Sequence, residues 1–167
     1  MRNDEDILIK SVHNAEELTI LKQAYLKLVG SRYDKHLEID NTILMHRYRF
    51  DQSWRCFDKA KVVINPYLHF FINRMENYNL FLKKGVCVMY PSSILTGNVE
   101  AHVKFLGKPG DLLIWMSENR NLDDLTIYDI IIQYTDHVIT NGRMITKGLI
   151  VNMLKHLISD QLITIKQ

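Results

Sequence analysis

"MITKGLIVNMLKHLISDQLITIKQ", residues 144–167, decides how this chain is read. Thr146 suits a helix start, because its hydroxyl oxygen accepts from N–H groups that a first turn leaves unpaired. Ile150, Met153 or Leu154, Leu157 and Ile158 follow at three- and four-residue steps, the spacing of one buried helical face. "DQ" then breaks the pattern and "LITIKQ" reads as extended chain. Upstream, Asp124 or Thr126 is placed to cap a second helix, with Ile127, Ile130 or Ile131, Tyr134 and Val138 along one side. "TNGR", residues 140–143, ends it. The order is helix, turn, helix, short break, strand.

That order resembles the winged-helix DNA-binding domains of bacterial transcription regulators, in which a recognition helix runs directly into a wing strand. The matching positions in "MLKHLISDQLITI" are Leu154, Leu157, Leu162, Ile163 and Ile165. The resemblance covers about the last 40 residues and implies a helix that lies in the DNA major groove. Between Gly142 and Ser159 the charged residues are Arg143, Lys147 and Lys155, and no acid occurs. On this reading Thr146, Lys147 and Asn152 reach base edges, while Arg143 and Lys155 meet phosphates. Two features oppose it. Residues 121–167 carry a formal balance of −1, whereas DNA-binding domains are mostly basic. The family has three helices, and only two are legible here, so a third has to come from "SENRNLDD" (117–124) or be lost.

The remainder reads as an α+β body over residues 1–118, followed by the winged-helix-like module over 119–167, with the polar "SENRNLDD" as linker. Asn14 with Glu17 has capping-box spacing, Leu18, Leu21, Tyr25 and Leu28 form a helical stripe, and Gly30 closes it. Asn65 and Pro66 predict a second helix over 66–83, whose stripe Leu68, Phe71, Met75, Tyr78 and Leu82 is expected to form core or a dimer interface. "VCVMY" and "VEAHVKFLG" read as strands. "DLLIWM" reads as a further strand, turned back through "KPG" as a hairpin. "HRYRFDQSWRCFDKA" (46–60) interleaves cations with aromatics, a pattern that suits nucleic acid but also a strand with arginine outward.

Two further resemblances are incomplete. The first 25 residues are similar to the opening of N-acetyltransferases of the GNAT family, but no pyrophosphate loop follows. "GNVEAHVKFLGKPGDLLIW" resembles cyclic-nucleotide-receptor regulators at Gly110, Asp111 and Leu112, yet their phosphate-binding cassette is missing, and no cyclic nucleotide is expected.

A net charge of +2 sets up no strong global field, and 47% hydrophobic with 24% charged residues is ordinary for a globular protein. Cys56 and Cys87 lack metal-ligand spacing, which disfavours a thiolate zinc site and a disulfide scaffold. "MRNDEDILIK" has no apolar leader core, and a cytoplasmic protein without membrane spans is expected. Seven histidines are dispersed, with no metal, nucleophile-elbow or phosphate-loop motif, so neither enzyme activity nor a cofactor is expected. The expected partners are duplex DNA and a second copy of the chain. The alternative is a protein–protein adaptor or secretion-system accessory subunit that docks through residues 144–165.

Overall fold

The computed structural model describes residues 8–34, 59–76, 82–93, 97–118 and 125–166. It is an α+β protein. Two compact units are present, Met1–Lys35 with Pro66–Leu106, and His36–Asn65 with Gly107–Gln167. These bounds differ from the expected division at 118/119. The second unit begins at Gly107 and also takes in a stretch from the first half of the chain.

The first unit is a four-stranded sheet with one helix. Strands β1 (Ser11–Val12), β3 (His69–Asn73), β4 (Gly85–Ser92) and β5 (Glu100–Phe105) lie in the order β1-β3-β4-β5. β1 runs parallel to β3, and the other neighbours are antiparallel. Helix α1 (Ala15–Val29) starts as expected: the Glu17 backbone N–H donates to the Asn14 side chain at 2.8 Å. Its Leu18, Leu21 and Tyr25 share one apolar core with Phe71, Cys87 and Met89. The Tyr25 hydroxyl reaches the Tyr67 carbonyl at 2.6 Å, so even the polar tip of this buried ring is satisfied.

The expected helix over 66–83 is overturned. Residues 69–73 form β3, paired with β4 in the register Phe71↔Cys87. Leu68, Phe71 and Met75 are buried within this unit, so they are not a free dimer surface, and Tyr78 lies outside the described residues. The helical spacing misleads because two inward positions of the strand are polar. His69 meets the Ile9 carbonyl through Nε2 at 2.9 Å, and the Asn73 amide donates to the Lys83 carbonyl at 3.0 Å. Buried polar groups are tolerated when their hydrogen bonds are made. The basic-aromatic stretch falls almost wholly in residues 35–58, outside the described part.

The second unit holds three helices and a two-stranded antiparallel sheet among its described residues. Strand β2 (Lys61–Ile64) pairs with β6 (Ile163–Lys166), and Lys61 also bridges to Thr126. "DLLIWM" belongs to helix α2 (Lys108–Glu118), which corrects the hairpin reading. "KPG" forms the first helical turn, where the missing proline N–H costs nothing. Leu112, Leu113 and Met116 are buried, and α2 packs on α4 (Lys147–Ser159). Helix α3 (Ile127–Thr140) buries Ile127, Ile130, Ile131 and Tyr134. Among the described residues no helix is long and apolar enough to cross a membrane.

Candidate nucleic-acid interface

Two local devices aim α4. The first closes α3: the Gly142 N–H donates to the Ile139 carbonyl at 2.9 Å and the Arg143 N–H to the Val138 carbonyl at 3.0 Å. This paired closure needs a residue in left-handed conformation, and Gly142 supplies it at φ 75°. The second starts α4: the Thr146 hydroxyl accepts from the Leu149 N–H at 3.2 Å. The Thr146 side chain assigned to bases therefore also serves as the helix cap.

One side of α4 carries Ile150, Met153, Leu154, Leu157 and Ile158, all buried. That fixes the opposite side, on which Gly148, Asn152, His156 and Ser159 are exposed and Lys155 is half-buried. Arg143, Thr146 and Lys147, at and just before the first turn, are exposed as well. Asn152 makes no hydrogen bond with any described residue, so both ends of its carboxamide are available. No acid lies between Gly142 and Ser159. The nearest downstream carboxylate is Asp160, at the C-cap. Asp129 is engaged in its own capping box with Thr126, and Asp136 belongs to α3.

The C-terminal end of α4 repeats the closing device with a residue less suited to it. Gln161 takes φ 63°, while its N–H donates to the Ile158 carbonyl and the Leu162 N–H to the Leu157 carbonyl. From there the chain turns directly into β6. Asn65, at the end of β2, fastens the corner: its side-chain amide donates to the Gln161 carbonyl at 2.9 Å. The Gln161 side-chain oxygen is buried without a hydrogen-bond partner among the described residues. A further helix of this unit, α2, occupies residues 108–118 and takes in the first two residues of "SENRNLDD".

A concavity lies between α2 and α3. It has a volume of about 480 Å³ and is lined by Asp111, Trp115, Glu118, Tyr134, His137 and Arg143 among others. The Trp115 ring lies 5.2 Å from Tyr134 and 6.0 Å from His137, centroid to centroid. Burial raises the Tyr134 phenol pKa, and Asp111 raises it further while Arg143 opposes the shift. Nothing in the sequence reading pointed to this cavity. Among the described residues no three His, Cys, Asp or Glu side chains are grouped to hold a metal ion. Cys87 is buried, and desolvation pushes its thiol up to about 11.

No family model matches the chain, and no curated protein or solved structure shows significant similarity to it.

Proposed function

We propose that the second unit is a winged-helix-like DNA reader and that the chain is a small transcription regulator. The observation that carries this reading is the outward side of α4, exposed, with hydrogen-bonding and cationic groups and no carboxylate in its own sequence from Arg143 to Ser159. Three helices followed by a strand also fit the resemblance, with β2 supplying the strand partner from upstream. Lys147 and Asn152 read bases; Arg143 and Lys155 meet phosphates, and the backbone N–H groups of the first turn of α4 add to that grip. A second copy would place two such helices on adjacent turns of the duplex.

Salt dependence tests it. Two phosphate-contacting cations per protomer, Arg143 and Lys155, imply a log–log slope of about −1.8, and hence roughly a 12-fold loss of affinity between about 50 and 200 mM salt. Fluorescence anisotropy on a labelled duplex measures this directly. Lys147→Ala is expected to weaken binding by about 1–3 kcal/mol at the base it reads, with the slope little changed. Asn152→Ala is expected to change sequence preference more than bulk affinity. Absence of saturable binding at the lower salt, or binding untouched by both substitutions, overturns the proposal.

The adaptor alternative has one observation in its favour: Tyr128, Ile132 and Ile139 form an exposed apolar stripe on α3. An adaptor would give no salt-dependent DNA binding in the same titration.

A further inference from the structure

The cavity between α2 and α3 is built from two helical stripes and shares Arg143 with the residues assigned to DNA. Asp111, Trp115 and Glu118 follow one another at i, i+4 and i+7 along α2, so they share one face. Tyr134 and His137 stand at i and i+3 on α3, and Arg143 follows its closing turn. The walls thus combine three aromatic rings, two carboxylates and one guanidinium, with Ile114 and Val138 as apolar filling.

Several polar groups here have no partner among the described residues. Asp111 and Arg143 both act on the Tyr134 phenol but form no ion pair with each other. Neither the Trp115 indole N–H nor the Tyr134 hydroxyl has a hydrogen-bond partner among the described residues. His137 uses one ring nitrogen on the Asn141 amide, at 3.3 Å. A volume of about 480 Å³ falls within the roughly 300–1,000 Å³ typical of small-molecule sites.

We infer that this cavity binds a small zwitterion, a free α-amino acid with an apolar side chain. Its ammonium sits against the face of Trp115 between Asp111 and Glu118, where aromatic quadrupole and carboxylates both favour a cation. Its carboxylate pairs with the Arg143 guanidinium, which offers two parallel donors. Its side chain lies on Ile114 and Val138. A purely cationic ligand would leave Arg143 as a like charge, and a purely anionic one would face two carboxylates. The zwitterion alone complements both ends.

The inference does not rest on the DNA reading, and its test uses no DNA. L-leucine is titrated into the full chain by isothermal calorimetry, beside isopentylamine and 4-methylpentanoate, which keep its carbon skeleton but carry one charge each. Leucine is expected to bind saturably, and each single-charge probe at least about tenfold more weakly, the worth of one charge-assisted hydrogen bond. Asp111→Asn and Arg143→Gln, both at exposed positions, should each weaken leucine by a similar factor with the far-ultraviolet circular dichroism unchanged. Asp111→Asn should leave 4-methylpentanoate no weaker, and Arg143→Gln should leave isopentylamine no weaker. In a Trp54→Phe background the emission of Trp115, then the sole indole, should shift with the same midpoint as the heat. No saturable heat with leucine, a single-charge probe binding as tightly as leucine, or leucine binding indifferent to both charge substitutions overturns the proposal.

Discussion

Replacing Asn65 by alanine examines the corner on which α4 depends. Asn65 is 2% exposed, and its side-chain amide donates to the Gln161 carbonyl at 2.9 Å. Its backbone N–H donates to the Leu162 carbonyl at 3.0 Å, a bond that alanine keeps. The substitution therefore removes the side-chain contact while keeping the backbone one, and leaves a buried carbonyl short of its donor, which costs about 1–3 kcal/mol. In a chain of this size 1 kcal/mol moves Tm by about 2–4 °C, so the central value corresponds to a fall of about 4–8 °C. Trp115 belongs to the second unit, and its emission in a Trp54→Phe background follows that unit's unfolding. Asn65→Asp sharpens the test, because an ionised carboxylate has the same shape but sets an acceptor against the carbonyl. Burial and that carbonyl raise the introduced group's folded pKa above its unfolded value near 3.9. Its penalty is then fully present above the folded pKa and fades as pH falls toward about 4, where the protonated form donates again. The aspartate variant should be less stable than the alanine variant at neutral pH and approach or pass it in acid. An alanine variant within about 0.5 kcal/mol of the parent, the range of an ordinary surface change, would refute this account of the corner.

Three further outcomes follow from the same geometry. Thr126→Ala removes the capping box in which Thr126 and Asp129 satisfy one another's N–H groups, and should lower stability by about 1 kcal/mol; the check is a shifted urea midpoint at constant slope. His69 has its pKa lowered by burial, with Lys10 adding to the shift against the opposing hydrogen bond to Ile9. The unfolded state therefore takes up this proton first, so the stability His69 contributes is intact above about pH 6.5 and is lost as pH falls through the lower folded pKa. A His69→Gln variant should show a flatter stability profile across that window. Cys87, buried with its thiol raised to about 11, should resist alkylation at mildly alkaline pH in the native chain and react once it is denatured, as peptide mapping of the labelled site will show.

The parts of the fold that were legible are those whose signal is local. The stripe from Ile150 to Ile158 and the cap at Thr146 lie within one helix, and both stand as read. The same holds for Asn14 and the Leu18–Tyr25 stripe of α1. The failures are places where a distant partner decides. His69 and Asn73 look wrong for the inward side of a strand until the Ile9 and Lys83 carbonyls arrive to satisfy them. Asn65 has the chemistry of a helix cap, yet its amide is claimed by a carbonyl 96 positions away. "DLLIWM" is too short for its period to separate strand from helix, and the Pro-Gly pair before it is as much at home in a first helical turn as in a hairpin.

The same logic explains why one candidate site was visible and the other was not. Lys147 and Asn152 ride on a helix whose buried side the sequence declares, so their outward direction follows by geometry alone. Asp111, Trp115 and Glu118 share a face only if residues 108–118 are helical. With the stretch taken as a strand, Asp111 and Trp115 fall on one side of a sheet and Glu118 leaves the element altogether. Even with α2 in hand, Tyr134, His137 and Arg143 come from beyond a separate helix start, and only the packing of the second unit brings them to the same wall. A groove-facing helix is a property of one element and its period. A cavity is a property of two elements and the contact between them, and that contact is what a linear pattern of apolar residues does not encode.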